Sequence, residues 1–560
     1  MTRRLLLSFL VVFLLAKLSA QTVLPDNTLS PDEQASRFLA QATFGPTTKA
    51  ITELRKLGYD YNAWIDREVA KTPSLAAPLV VAAFNSRQIE RMDPISNRSA
   101  RTEVMISGDD QLRQRVAYAL SQIFVISDNV AAISNALEGS SSYYDMLLQG
   151  SFGNFRELLL NVTRHPMMGR FLTHYQNRKA NPETGTRADE NYAREVMQLF
   201  TIGLYLLNQD GTYQSVIDGR AAETYTNDHI TELARVFTGF TDEDNNPIAV
   251  GTGIGRTEFP RVLKQNYTQP MKMWDLQHDT GVKTLLSYPG VRKPVLPANQ
   301  TGLQDVADAI DNLFEHPNTG PFIARQLIQR LVTSNPSNGY VGRVAGVFAN
   351  NGSGQRGDML AVIKAILLDQ EARNPAFIVD PEHGKLREPF LRVTHLLRAF
   401  NFVVPPHVLP YNFPFATAAA LGQYPLSAPS VFNFYLPDYE PPGVIGGAGL
   451  VGPEFQILNS DSGVKTLNAF YSVIERALGE IFPLDLSPQA QLSGSTAMLV
   501  DNVDLLLTHG TLSDQTRAKV IAAVDGVTST MVPSGSSLGI TKAHMAVYLI
   551  MVSPDYAVLK

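Results

Sequence analysis

Apolar residues recur at three- and four-residue spacing along most of the chain, which places them on one face of an α-helix. The segments that begin at Gln111, Phe155 and Ile230 show this spacing, and it continues into the final stretch "HMAVYLIMVSPDYAVLK". Strand-like alternation is rare. The pattern therefore predicts a mainly α fold with a large multi-helical body.

Alternating apolar and polar residues are clearest from Met271 to Leu286, "MKMWDLQHDTGVKTLL". The alternation stops at Asp279-Thr280-Gly281 and resumes after it. Two short alternating runs around a glycine-containing turn are typical of a β-hairpin. We therefore expect a small β-hairpin as an accessory to the helical body.

A long irregular segment interrupts the helical pattern between Phe402 and Ala448. It is rich in proline and aromatic residues, as in "YPLSAPSVFNFYLPDYEPPG". A free linker would be less apolar, so this insert, residues 402–448, is expected to lie against the helical body. Its aromatic side chains either pack there or line a ligand cleft.

The first twenty residues have the three parts of a secretory signal peptide. Arg3 and Arg4 form the charged part, Leu5 to Leu15 the apolar part, and Leu18-Ser19-Ala20 a cleavage site. The apolar run is shorter than the roughly 20 residues that span a bilayer, although an uncleaved anchor is the alternative. We expect a signal peptide at 1–20, a linker at 21–32 and one helical domain at 33–560. The mature protein would be periplasmic or extracellular, with no membrane span.

The composition excludes several classes of function. Of 560 residues, 44% are hydrophobic and 18% charged, which is ordinary for a folded protein. The net charge of −6 gives no basic footprint for nucleic acid. There is no cysteine, so disulfides, thiolate nucleophiles and cysteine-bound zinc are excluded.

The segment "DENYAREVMQLFTIGLY" from Asp189 carries the densest polar face of the chain. Asp189 is a suitable cap for the start of a helix, and Tyr192, Val196 and Phe200 would form its buried face. The polar residues are Glu190, Asn191, Arg194, Glu195 and Gln198.

This polar face has three interpretations: a site, a buried structural network, or a solvated surface with a Glu190–Arg194 pair. As a site, Glu190 and Glu195 would be acid, base or hard-metal ligands, and His165 would join them from the preceding helical segment. Asn191, Arg194 and Gln198 would bind substrate. Oxygen ligands would favour calcium or magnesium as a cofactor, although the sequence has no dedicated binding loop for either ion.

His278-Asp279 is a second candidate, because a His-Asp pair also occurs in helical metal-dependent phosphohydrolases. Here the pair lies in a predicted turn rather than on a helix. We therefore expect Asp279 to cap that turn.

The ordered motifs resemble a bacterial family, domain of unknown function 1800 (DUF1800), from about Phe38 to the C-terminus. They include "RFLAQATFGPT", "LRQRVAYALSQIFVIS", "DENYAREVMQLFTIGLY", "HDTGVKTLL" and "LSAPSVFNFYLPDY". The resemblance implies an exported, mostly helical bacterial protein. It also implies a co-exported partner similar to alkaline phosphatases and sulfatases. The family has no established catalytic residues that could be assigned to positions in this sequence.

Two functions follow as expectations. The first is an exported, hydrolase-like enzyme that uses the carboxylates of the polar face on a polymer or glycan-like substrate. The second is a non-catalytic scaffold or binding protein for the co-exported partner. The polar face favours the first function, and the absence of an established catalytic motif favours the second.

Overall fold

A computed structural model describes residues 29–214, 216–217, 219–243, 259, 265–402, 421–476 and 484–560. The expected signal peptide, most of the linker, and residues 403–420 of the insert lie outside these residues. Helices supply most of the regular structure, which confirms the mainly α fold.

The helices up to the middle of the chain are α1 (Pro31–Ala42), α2 (Thr48–Lys56), α3 (Tyr61–Val69), α4 (Ala77–Asn85), α5 (Pro94–Ser107), α6 (Gln111–Ser121), α7 (Ala131–Ser134), α8 (Gly139–Gly150), α9 (Phe155–Arg164), α10 (Pro166–Phe171), α11 (Asn191–Gln198) and α12 (Asn227–Val236). The later helices are α13 (Gly302–Glu315), α14 (Thr319–Leu331), α15 (Asn338–Ala349), α16 (Met359–Leu367), α17 (Gln370–Arg373), α18 (Pro389–Ala399), α19 (Val444–Gly447), α20 (Ser460–Arg476), α21 (Ser487–Gln491), α22 (Thr496–Leu507), α23 (Asp514–Asp525), α24 (Leu538–Met551) and α25 (Pro554–Ala557).

Short antiparallel strands are the accessory to this body. The pairs are β1 (Val216–Ile217) with β2 (Arg220–Ala221), β3 (Phe240–Thr241) with β4 (Lys272–Met273), β5 (Lys283–Thr284) with β6 (Val295–Leu296), and β7 (Lys385–Leu386) with β8 (Val558–Leu559).

The hairpin predicted from Met271 to Leu286 is wrong in its pairing. Its first arm, β4, pairs with β3, and its second arm, β5, pairs with β6. Between the arms the chain curls into tight turns, in which Gln277 N donates to Trp274 O (2.9 Å) and His278 N to Asp275 O (3.1 Å). His278 is buried there, and each arm is already paired with a strand from another part of the chain.

The body begins within the predicted linker, because α1 starts at Pro31. The Ser30 hydroxyl accepts from Glu33 N, and the Glu33 carboxylate accepts from Ser30 N (2.6 Å), which is a capping box. Pro31 occupies the first turn, where its missing N–H has no partner to lose. Local sequence thus fixes this helix start.

A cluster of aromatic rings joins distant parts of the chain in the core. Phe44, just after α1, lies 5.6 Å from the ring of Tyr118 in α6 and 6.2 Å from Phe390 in α18. Phe390 in turn lies 5.8 Å from Tyr424. Since Tyr424 belongs to the insert and is buried, the described end of the insert packs against the body as expected.

Within the described part of the chain, no helix is both long enough and apolar enough to cross a membrane.

The polar helix predicted from Asp189 is α11, and it packs beside α12. Residues 199–226 connect the two helices, and Asn318 holds this connection in place. Its Nδ2 donates to the carbonyls of Ile202 and Tyr205 (2.8 Å each), and its Oδ1 accepts from Leu207 N (3.0 Å).

Candidate functional site

Helix α11 begins at Asn191, so its N-cap is Glu190 and the predicted cap, Asp189, lies one residue earlier. The Asp189 carboxylate accepts from Asn191 N (2.9 Å) and from the Thr173 hydroxyl (2.9 Å), so it satisfies a free amide at the helix start. Tyr192 and Val196 are fully buried on the opposite face. Of the polar residues, Asn191 is exposed, Glu190, Arg194 and Gln198 are half-buried, and Glu195 is buried.

One stripe of the polar face runs along α12. Glu190 Oε1 accepts from the Thr231 hydroxyl (2.9 Å), and Glu190 Oε2 lies 3.9 Å from Arg194 Nη2, with both side chains 43% exposed. Gln198 Oε1 accepts from the Tyr225 hydroxyl (3.0 Å). Burial raises the pKa of Tyr225 to about 12, so its phenol stays a neutral donor.

Glu195 has a different environment from Glu190. It is buried, and its Oε2 has no hydrogen-bond partner among the described residues. Burial raises the pKa of Glu195, and the charge of Arg194 opposes this shift. Because five residues turn an α-helix by about 140°, the two glutamates project from different sides of α11. Asn191 lies exposed beside the Glu195 side.

His165 is placed as a helix cap. Its Nδ1 accepts from Met167 N (3.2 Å) at the start of α10, and its ring lies edge-on to Tyr143, 5.1 Å away. Burial lowers the pKa of His165 to about 3, so the imidazole is neutral. Among the described residues, no hydrogen bond or ion pair joins His165 to Glu190 or Glu195.

The described residues contain no group of three or more His, Asp or Glu side chains that could hold a metal ion. His278 and Asp279 point to different partners: the imidazole Nε2 contacts Asp305 (3.0 Å), and Asp279 pairs with Arg235 (2.9 Å). Asp279 Oδ1 also accepts from Gly281 N (2.8 Å), which confirms that it caps the turn.

A small three-segment platform lies beyond the end of α11. Two antiparallel β-bridges join its segments: one pairs Tyr205 with Glu223, and the other pairs Leu207 with Tyr213. Backbone bonds from Leu206 N to Ala222 O (2.8 Å) and from Gln214 N to Leu206 O (2.8 Å) hold the segments together. The rings of Tyr205 and Tyr213 meet edge to face, with centroids 5.6 Å apart.

This platform continues the polar stripe of α11. Residues directly opposite in antiparallel pairs, and residues two apart in one strand, lie on the same face. Tyr205, Tyr213, Glu223 and Tyr225 therefore share a face, and Tyr225 bonds to Gln198. Tyr205 is 40% and Tyr213 57% exposed. We call this set, with Arg194 and Glu190, the tyrosine surface.

Comparison with known proteins adds the family. The sequence model described as "Protein of unknown function (DUF1800)" matches residues 37–558. The chain belongs to this family. No curated protein and no solved structure matches it.

The tyrosines of this DUF1800 protein were not among the residues predicted for the site. A signal for them exists in "GLYLLNQDGTYQ", where Asp210-Gly211 is a common turn pair between short apolar runs. Asp210 Oδ1 accepts from Thr212 N (3.0 Å), and Gly211 has a φ of 78°. The sequence therefore predicts the turn between the two tyrosines. It does not predict their exposure, because that depends on the packing of the platform.

Proposed function

We propose that this protein is exported and that its tyrosine surface binds a polymer rich in hydroxyl groups, of the glycan class. The observation that carries the proposal is the exposed edge-to-face pair of Tyr205 and Tyr213, continuous with the polar stripe of α11.

The chemistry of the surface suits a sugar chain. Tyrosine offers a flat apolar ring with a polar end, and the C–H faces of sugar rings stack on such rings. Gln198, Arg194 and the exposed carboxylates Glu190 and Glu223 supply donors and acceptors for hydroxyl groups. The surface is open rather than enclosed, which fits an extended chain better than a small molecule.

The test is native electrophoresis of the purified protein through gels that contain a soluble neutral glucan or an acidic polyuronate. The parent should be retarded in at least one gel, and Tyr213→Ala should lose most of the retardation. The matched control is Phe84→Ala, since Phe84 is also exposed (41%) but lies on α4. A Tyr213→Ala variant as strongly retarded as the parent, or a parent retarded by no polymer, contradicts the proposal.

Hydrolysis of the bound polymer is a second candidate, and Glu195 favours it. A carboxyl whose pKa is raised by burial keeps its proton to a higher pH than a free glutamate does, which suits a general acid. It would protonate the leaving oxygen of a glycosidic bond while water attacks the sugar carbon, and the proton that this water loses would pass to solvent. New reducing ends that appear with the parent and not with Glu195→Gln, at equal retardation, would establish this activity.

A protein partner is a further proposal, and it comes from the family resemblance alone. The same surface would then serve a co-exported protein similar to alkaline phosphatases or sulfatases. A pull-down with that neighbour, compared between the parent and Tyr213→Ala, tests whether the tyrosine surface is shared.

A further inference from the structure

A small cavity lies between the first helix and the last strand of the described chain. Its volume is about 20 Å³, and its walls come from α1 and the residues after it, α6, β7, α18 and β8. Three cationic side chains line it: Arg115, Lys385 and Arg387. All three are buried.

Two of these cations have no carboxylate partner among the described residues. Arg115 donates from Nη2 to the carbonyl of Arg330, while its Nε and Nη1 have no hydrogen-bond partner. Arg387 donates to the carbonyls of Leu507 and Tyr556 (3.0 Å each) and contacts His509 Nε2 (2.7 Å). Burial lowers the pKa of Arg115 and brings that of Arg387 to about 10. Both groups carry charge at neutral pH, because a guanidinium is not deprotonated in proteins.

The nearby carboxylates do not balance this charge. Glu454 Oε1 pairs with Lys385 Nζ at 3.0 Å. The Glu388 Oε2 atom accepts from Tyr118 (3.0 Å), Gln122 (2.7 Å) and two further side chains instead of from a cation. The cavity walls carry three cations, and Glu454 and Glu388 supply two carboxylates. Positive charge is therefore in excess.

Uncompensated charge in a protein interior is costly, so buried charges are normally paired. A buried water would accept hydrogen bonds from the free N–H groups of Arg115 but would bring no charge. An anion would accept these hydrogen bonds and would also supply negative charge. We propose that this cavity binds a small monovalent anion of the halide class, with Arg115 as its main donor.

The size of the cavity sets the class of ligand. A single water needs about 10–15 Å³ of such space, so a volume of about 20 Å³ admits one water or one slightly larger monatomic ion. Phosphate and sulfate are too large. Since the walls include Ala40 of α1 and Leu559 of β8, the anion would also tie the two ends of the described chain together.

The first experiment measures the melting temperature of the purified full chain in sodium gluconate, with chloride or bromide substituted at constant ionic strength. We expect the melting temperature to rise with halide for the parent. Arg115→Met should lose this response. Arg113→Met is the matched control, because Arg113 is a buried arginine on the same helix that does not line the cavity, and it should respond like the parent.

The second experiment does not depend on a variant that folds. Crystals of the parent soaked in bromide should show an anomalous bromine peak within contact distance of Arg115 and Lys385. The proposal is overturned if the cavity contains only water in those crystals. It is also overturned if the melting temperature of the parent is the same in halide as in gluconate.

Discussion

His278 Nε2 lies 3.0 Å from Asp305 Oδ2, and neither side chain contacts solvent. The same oxygen also accepts from Lys283 Nζ (2.6 Å), and Asp305 Oδ1 accepts from Gln300 (2.8 Å). His278 Nδ1 contacts the carbonyl of Thr238 (2.9 Å). The carboxylate of Asp305 therefore neutralises a buried lysine and orients the imidazole.

Replacement of Asp305 by Asn is expected to lower the free energy of unfolding by about 3–5 kcal/mol, because Lys283 is left as an unpaired buried charge. Chemical denaturation measures this loss. Asp311→Asn is the control, since Asp311 pairs with Arg156 at the surface with 43% of its side chain exposed, and it should cost less than about 1 kcal/mol. Equal losses of unfolding free energy in the two variants would contradict the role of Asp305 as the partner of a buried lysine.

Acid is expected to destabilise the protein through its buried histidines. Burial lowers the pKa to about 3 for His165 and His395, and to about 4 for His174, His316 and His383. The unfolded chain takes up these protons near pH 6.5 and the folded chain does not. Their stabilising effect is therefore complete above pH 6.5 and is lost as pH falls towards 3–4, by about 1.4 kcal/mol per pH unit for each histidine.

The measurement is the slope of the unfolding free energy between pH 4.5 and about pH 6. His316→Asn keeps the acceptor for Asn318 N, which the His316 Nδ1 bonds at 3.1 Å, but removes the titration. Unfolding of this variant should take up about one proton fewer than unfolding of the parent. His165→Asn should give the same decrease, and an unchanged slope in both variants would contradict the argument.

Glu195→Gln is expected to stabilise the protein at neutral pH. Since the folded pKa of Glu195 is raised by burial, the folded state binds its proton more tightly than the unfolded state. Stability then falls as pH rises through the unfolded pKa towards the folded pKa. The parent and variant should match near pH 4, and the variant should be the more stable of the two at pH 7. Glu190→Gln, at an exposed pair, should change little at either pH. A buried structural network at Glu195 would instead give a loss of stability.

Gly203→Ala is expected to destabilise the platform that carries the tyrosines. Gly203 has a φ of 70°, and an added Cβ would lie 2.8 Å from the ring of Phe322. Gly185→Ala is a matched control, with the same φ of 70° and open space around the new Cβ. The control should cost only the backbone strain of about 1–2 kcal/mol, whereas Gly203→Ala should cost more and also weaken retardation by the polymer. Equal unfolding free energies for the two variants would rule out the clash.

The sequence by itself determined the features that depend on neighbouring residues. The helical spacing predicted the mainly α body, Asp189 placed the start of α11 to within one residue, and Asp279 was correctly predicted to cap its turn. Each rests on a hydrogen bond between residues two apart, or on a periodicity within one helix, so local sequence carries the information.

Only the tertiary structure decided which residues meet across long separations. The two arms of the predicted hairpin pair with other strands, and His165 caps a helix beside Tyr143 instead of facing Glu190 or Glu195. The two glutamates look alike in the sequence, yet one is buried and the other half-exposed. The reason is physical: burial and strand pairing depend on which distant surfaces pack together, and neither leaves a periodic signal in the chain.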